Sequence, residues 1–103
     1  MKTLYVIEKS PDTLPDDHIL NKIRNHQLLD EPVTIFIQND GIRWLLNENW
    51  EKLFDPEEHT VYYANAKDVK SYSVPFQEGV IYSNPKILNE LINWAEQVFF
   101  ITK

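Results

Sequence analysis

Residues 80–101, VIYSNPKILNELINWAEQVFFI, contain the pattern that decides the fold of this chain. Val80-Ile81-Tyr82 is a short run of strand-forming residues, and Ser83-Asn84-Pro85 predicts a helix start, because a polar capping residue precedes proline at the first helical position. Residues 98–101 form another apolar run of strand length. Between these runs, five apolar residues recur at helical spacing on one face: Ile87, Leu88, Leu91, Ile92 and Ala95. We expect this face to be buried against a sheet, and the order strand, helix, strand predicts a parallel unit.

The same alternation extends through the rest of the chain. Apolar runs predict strands at residues 4–7, 33–37 and 61–64. A helix is expected after Asp16 or Asp17 as N-cap, one or two short helices between residues 42 and 54, and at most a short helix at 68–71. The strands lack polar alternation, so helices are expected on both faces. The prediction is a single domain over residues 1–103, a three-layer α/β/α fold with a mainly parallel sheet of about five strands.

Composition excludes several classes of function. None of the 103 residues is cysteine, which excludes disulfides, thiolate nucleophiles and cysteine-ligated metal sites. The formal net charge of -6 disfavours direct nucleic-acid binding and anionic membrane surfaces, because acidic groups repel phosphate. The apolar runs are too short for a signal peptide or a membrane span. We therefore expect a cytoplasmic protein.

Polar residues follow the predicted strands at their carboxyl ends, where open parallel sheets bind ligands. They form a candidate polar pocket of eight residues: Lys9, Ser10, Asn39, Asp40, Gly41, Asn65, Lys67 and Asp68. The same residue types also cap helices and form turns, so both interpretations stand. For Gly41, the turn interpretation is a tight strand-to-helix connection in which glycine tolerates an unusual backbone angle.

No catalytic, metal or cofactor motif is present. The glycine-rich phosphate-binding patterns are absent, and we expect no cofactor. His18, His26 and His59 lack metal-ligand spacing, so they are expected to be solvated surface side chains rather than a metal site. No residue is therefore assigned a catalytic role.

Two tryptophans suggest association. The chain has 3 Trp, 5 Tyr and 5 Phe, which is many for so small a domain. Trp44 and Trp50 lie at the margin of the apolar stripe in their segment, so we expect them to stay uncovered and to form an interface. The protein is then a homo-oligomer, expected as a dimer. The alternative is that both side chains pack under the loop around Asp55-Pro56 in a monomer.

Four stretches, in order along nearly the whole chain, resemble one protein family. They are the strand ending in Lys-Ser-Pro at residues 4–11, the strand and Asp-Gly turn at 36–42, the strand at 61–64 followed by Asp68-Val69-Lys70, and the Ile81-Tyr82-Ser83-Asn84 turn. Together they resemble the DsrH/TusB-like branch of the DsrE/DsrF/DsrH-like sulfur-relay family. The resemblance implies a small α/β fold that assembles into dimers or hexamers. It also implies a place in persulfide transfer, which in the best-known branch leads to thiolation of the tRNA wobble uridine.

The sequence departs from this family at two places. The sulfur-carrying cysteine of some members would fall near Leu20, and the Arg-Gly pair that often follows the third strand is replaced near Ser71-Tyr72. Without a thiol the chain cannot carry a persulfide. We therefore expect a non-catalytic subunit that acts in the assembly of a sulfur-relay complex, with cysteine-bearing DsrE/DsrF-like subunits as partners. The alternative is a small-molecule-binding protein or enzyme that uses the polar residues at the strand ends.

Overall fold

Five parallel strands and their connecting helices make up the computed structural model, which describes residues 1–11, 16–29, 31–55 and 60–101. The strands are β1 (Thr3–Ile7), β2 (Val33–Ile37), β3 (Thr60–Asn65), β4 (Val80–Ser83) and β5 (Gln97–Ile101). The helices are α1 (Asp16–Leu28), α2 (Asn47–Leu53), α3 (Ala66–Tyr72) and α4 (Pro85–Trp94), with a 3-10 helix at Asn39–Leu45. The predicted α/β class and the strand count are confirmed. The N-cap predicted at Asp16 or Asp17 rests on side chains outside the described residues.

The strand order is β4-β3-β2-β1-β5, so the last strand of the chain pairs with the first. From β1 to β4, each strand lies beside the previous one, toward the same edge of the sheet. Helix α4 then crosses back over the sheet, so that β5 lies next to β1. Thr3 of β1 aligns with Val33 of β2 on one side and with Gln97 of β5 on the other. Strands β1 and β2 are buried along their whole length, as their continuous apolar runs predict.

The larger core lies on the face covered by α1, the 3-10 helix, α2 and α3. Residues of β1 and β2 on this face, such as Tyr5 and Ile35, pack with Ile23 of α1, Leu53 of α2 and Val69 of α3. The Arg24 guanidinium joins α1 to the end of α2, where it donates to the Lys52 carbonyl at 2.8 Å and to Asp55 Oδ2 at 3.1 Å. The helices that connect β1 to β2, β2 to β3 and β3 to β4 therefore pack in one core on this face of the sheet.

The smaller core lies on the opposite face, which α4 covers without help from the other described helices. Leu4, Val6 and Phe36 are fully buried there. The apolar face of α4 packs against them, as predicted, but none of its residues is fully buried, which corrects the expectation for Ile87, Leu88, Leu91 and Ile92. One helix is about 10 Å wide, whereas five strands span about 20 Å or more. Both flanks of the helix are therefore open.

Trp44 and Trp50 are buried within the chain, so the expectation that they stay uncovered is wrong. Trp44 is 1% exposed and its Nε1 donates to the Lys9 carbonyl at 3.1 Å. A 3-10 helix has three residues per turn, so Trp44 lies above buried Gly41 and not at the margin of an α-helical stripe. The ring centroid of Trp50 lies 5.1 Å from those of Phe54 and Tyr62. Neither side chain is available for an interface.

Candidate functional site

The carboxyl ends of β1, β2 and β3 lie side by side, because these strands are neighbours in the sheet. The polar residues predicted to follow them therefore meet at one edge of the molecule. Asn65 ends β3 and caps α3, since its Oδ1 accepts from Lys67 N at 3.0 Å and from Asp68 N at 3.3 Å. This satisfies two of the amide groups that a helix start leaves without a partner.

Asp68 connects α3 to the turn after β2. Its Oδ2 accepts a hydrogen bond from the backbone N–H of Asn39 at 2.7 Å. Asn39 has a φ of 53°, a left-handed conformation that asparagine tolerates better than most residues. The carboxylate therefore stabilises the turn that starts the 3-10 helix.

Asp40, Tyr72 and Arg43 form a second contact at this edge. The Tyr72 hydroxyl donates to Asp40 Oδ1, and the Arg43 guanidinium lies 5.6 Å from the Tyr72 ring centroid. The hydrogen bond to Asp40 raises the pKa of Tyr72, because the carboxylate favours the protonated phenol. Neither Tyr72 nor Arg43 is among the site residues that the sequence predicts. The available signal was spacing, since Tyr72 follows Asp68 by four residues on α3 and Arg43 follows Asp40 by three.

Glycine is required at position 41 because this residue lies close to the backbone of Ile7, and not because of an unusual backbone angle. A Cβ at this position would lie 2.2 Å from the Ile7 carbonyl oxygen and 2.7 Å from its carbon. The left-handed residue of this turn is Asn39, not Gly41. Gly41 lies within the 3-10 helix after β2, and glycine is needed there for a steric reason and not for an unusual backbone angle.

The remaining residues of the candidate pocket take separate positions. Lys9 contributes its carbonyl oxygen to Trp44, Ser10 is buried after β1, and Lys67 is exposed in the first turn of α3. Among the described residues, no ion pair joins a lysine ammonium to Asp40 or Asp68. The contacts at this edge cap helices and close turns, which is the second of the two interpretations. A ligand pocket here stays a prediction.

A buried aromatic cluster beside β5 was not foreseen from the sequence. The Tyr5 hydroxyl is hydrogen-bonded to Nδ1 of His26, and the Tyr5 ring stacks on Phe99 with centroids 5.2 Å apart. Lys22 places its Nζ 3.6 Å from the Phe99 ring centroid. Burial raises the pKa of Tyr5. His26 is half-buried rather than a solvated surface side chain, whereas the side chains of His18 and His59 lie outside the described residues.

The face that α4 half covers carries an open apolar groove of about 320 Å³. It lies between α4 and the sheet and is lined by Thr34, Val61, Tyr63, Glu90, Leu91 and Trp94. Ile81 and Phe100 are also exposed. Ile81 pairs with Tyr63 beside the groove, whereas Phe100 lies at the opposite edge of the sheet. We call the surface formed by α4, the groove and Ile81 the α4 face. Contiguous exposed apolar surface of this kind marks interaction sites.

Neither a metal-binding group nor a membrane-spanning helix is found among the described residues. No three His, Asp or Glu side chains there are grouped so that they could hold a metal ion. None of the helices in the described ranges is long and apolar enough to cross a membrane.

The fold and these contacts define a small α/β protein with a parallel five-stranded sheet and helices on both faces. Among solved structures, the ychN protein from E. coli has this fold, with a TM-score of 0.74, and the match covers 98% of this chain and 100% of that one. This likeness confirms the predicted α/β fold with a five-stranded parallel sheet, which is also the kind of fold that the resemblance implies. At 13% identity the likeness shows the fold alone. The sequence matches no protein-family model and no curated protein sequence.

Proposed function

We propose that this chain is a non-catalytic subunit of a sulfur-relay complex and that it acts in assembly rather than in persulfide transfer. The observation that carries the proposal is an α/β fold shared with the ychN protein over 98% of the chain, in a sequence that resembles the DsrH/TusB-like branch and contains no cysteine. Its expected partners are cysteine-bearing chains of the DsrE/DsrF-like kind.

The chemistry of sulfur transfer supports a non-catalytic role. A persulfide is carried on a thiolate sulfur, and none of the 103 residues can supply one. At the strand ends, Asp68 and Asn65 accept hydrogen bonds from backbone amides, and Asp40 accepts one from Tyr72. These contacts stabilise the turns of the chain, so the contribution left for a sulfur relay is contact with other subunits.

The α4 face supports a role in assembly. It combines the groove beside Trp94 with the exposed side chain of Ile81. Burial of apolar surface contributes about 25 cal/mol per Å², so covering such a face would stabilise a complex.

Affinity purification of the tagged chain from its native cells tests the proposal. We expect a stoichiometric partner with a DsrE/DsrF-like fold and at least one cysteine, identified by mass spectrometry. Purified partner and chain should form a complex by light scattering, and persulfide should appear on the partner's cysteine and never on this chain. Recovery of the chain without such a partner would contradict the proposal.

A matched pair of variants separates assembly from folding. Ile81→Lys adds a charge on the α4 face, whereas Leu28→Lys adds the same charge at the end of α1, where the side chain is 83% exposed. We expect Ile81→Lys to weaken the complex and Leu28→Lys to leave it intact. Equal effects of both variants would exclude the α4 face as the contact surface.

A further inference from the structure

Strand β5 is an edge strand that lacks the usual protection of an edge. It lies at one end of the sheet, and its sequence, QVFFI, contains neither a charged residue nor proline. Edge strands are normally shortened, charged or interrupted, because their free backbone groups pair with other chains. The Phe100 side chain is also 54% exposed. Both the backbone and the side chains of β5 therefore favour contact with another strand.

The hydrogen bonds to β1 determine which residues of β5 point outward. The Gln97 N–H donates to the Lys2 carbonyl at 3.2 Å, and the Ile101 carbonyl accepts from Glu8 N–H at 3.0 Å. Residues of a strand alternate in the direction of their backbone groups. Val98 and Phe100 therefore direct their N–H and C=O groups away from the sheet, where a partner strand can bind them.

The opposite edge, β4, is a poorer pairing surface. It has four residues, and the loop before it packs on its Tyr82, where the ring centroid of Phe76 lies 4.7 Å from that of Tyr82. Gly79, directly before β4, has a φ of 89°, and Pro85 follows two residues after its end. The two edges thus differ in length and in the extended backbone that they offer.

We propose that β5 pairs with β5 of a second copy of this chain, in antiparallel orientation, about a two-fold axis at Phe99. This pairing places Val98 opposite Phe100 of the other copy, and Phe100 opposite Val98. Each such pair exchanges two backbone hydrogen bonds, so the contact forms four. The two sheets then continue as one, and each Phe100 side chain lies against Val98 of the partner. This inference does not depend on the proposed function.

Strand β5 is a surface at which two copies of this chain can meet despite their like net charges. Each chain has a net charge of -6, so two copies associate best through a surface without carboxylates. Strand β5 has none, and the neighbouring Glu96 is engaged, since its Oε1 accepts from Lys2 N at 3.1 Å. Val98 and Phe100 are also placed symmetrically about Phe99, as a two-fold contact requires.

Residues on the helices beside β5 add interface area to that of the two paired strands. A standard interface covers about 800 Å² per partner, which is about 13% of the 6142 Å² surface of this chain. Leu88 and Ile92 of α4 pack in the same cluster as Val98 and are half-buried. On the other face, Lys22 lies over Phe99. Residues from both helices therefore extend the contact beyond the strand.

Lys22 predicts how the affinity of the proposed dimer changes with salt concentration. Because its Nζ lies 3.6 Å from the Phe99 ring centroid, the axis at Phe99 brings two lysine ammonium groups toward each other. Salt screens such repulsion, with a Debye length of about 10 Å at 0.1 M and about 3 Å at 1 M. The dimer should therefore bind more tightly as sodium chloride is added. A dimer that weakens with salt would contradict a two-fold axis at Phe99.

Sedimentation or light scattering of the purified chain of residues 1–103 is the first test. We expect twice the monomer mass of 12.2 kDa at micromolar concentration for the original chain and for Leu28→Lys. Phe100→Lys, which places a charge on the pairing edge, should give monomers with an unchanged circular dichroism spectrum. A monomeric original chain, or a Phe100→Lys dimer as stable as the original, would overturn the proposal.

Single cysteines test the register, because the chain has no cysteine of its own. Residues at the axis lie about 4.5 Å apart between Cα atoms, within the range of a disulfide, whereas the two copies of Phe100 lie about 8 Å apart. Mild oxidation should therefore cross-link Phe99→Cys and leave Phe100→Cys uncross-linked. Folded dimers with the reverse pattern would refute the antiparallel pairing at Phe99.

Discussion

Gly41→Ala is the substitution whose effect can be derived most directly from the structure. The new methyl group would lie 2.2 Å from the carbonyl oxygen of Ile7 and 2.7 Å from its carbon. Both atoms belong to the backbone at the end of β1. The oxygen also accepts a hydrogen bond from Gln38 N at 3.0 Å, so it cannot move without disturbing the connection after β2.

Three contributions determine the expected loss of stability. Overpacking of a filled site costs about 1–3 kcal/mol. Weakening of the Gln38–Ile7 hydrogen bond adds about 1 kcal/mol. Replacing glycine by alanine restricts the unfolded chain, which offsets about 0.4–1 kcal/mol. The net expectation for Gly41→Ala is a free energy of unfolding lower by about 1–3.5 kcal/mol.

Urea unfolding followed by circular dichroism measures this change. The midpoint should fall while the slope with denaturant stays constant, because the surface exposed on unfolding is unchanged. Lys67→Ala, an exposed substitution at the same edge of the molecule, is the control and should change stability by less than about 0.5 kcal/mol. A Gly41→Ala protein as stable as the original would show that the close approach of Gly41 to β1 is wrong.

Three further predictions concern single contacts. Trp44→Phe removes the donor to the Lys9 carbonyl at 3.1 Å and should lower the free energy of unfolding by about 2 kcal/mol or more in the same urea assay. Asn39→Val should cost about 1–2 kcal/mol because the φ of 53° is strained for a β-branched residue, whereas Asn39→Gly should be close to neutral. Burial raises the pKa of Tyr5 and of Tyr62 above 10.0, so folded phenols keep protons that the unfolded chain releases. Stability should therefore hold below about pH 10 and fall above it, measured as thermal midpoint against pH, and Tyr5→Phe should reduce this fall.

Local patterns were sufficient to predict the elements of the fold. The helix start at Ser83-Asn84-Pro85 is confirmed, since Asn84 Oδ1 caps α4 by accepting from Lys86 N at 3.0 Å. The apolar runs at 4–7 and 33–37 lie within the central, fully buried strands. These features depend on neighbours within a few residues in the sequence, so periodicity and capping chemistry contain the necessary information.

Predictions about exposure were less successful. Trp44 was interpreted on an α-helical wheel, but its segment is a 3-10 helix, which changes the side on which each residue lies. His26 was expected in solvent, yet α1 places it against Tyr5 and Phe99. Both errors have one cause, since exposure depends on which elements pack together and not on local spacing.

The sequence predicts that four polar residues meet at the strand ends, but it does not predict the partners that they contact. Asn39, Asp40, Asn65 and Asp68 do meet at the strand ends, because the carboxyl ends of adjacent parallel strands share one edge. Their partners could not be derived in the same way. The contact between Asp40 and Tyr72 joins residues 32 positions apart. Spacing places Tyr72 beside Asp68 and Arg43 beside Asp40, but it does not specify the contact between the two helices.

By itself, the sequence determined the α/β class, the positions of the strands, the cap of α4 and the absence of any thiol chemistry. Only the tertiary structure decided the strand order, because pairing in a sheet joins distant residues through backbone groups that every residue carries. That order places β5 beside β1, so β5 becomes an edge and Phe100 is exposed on it. Likewise, the crossing of α4 to the opposite face leaves one helix to cover five strands. The surfaces through which this chain can associate therefore follow from its topology.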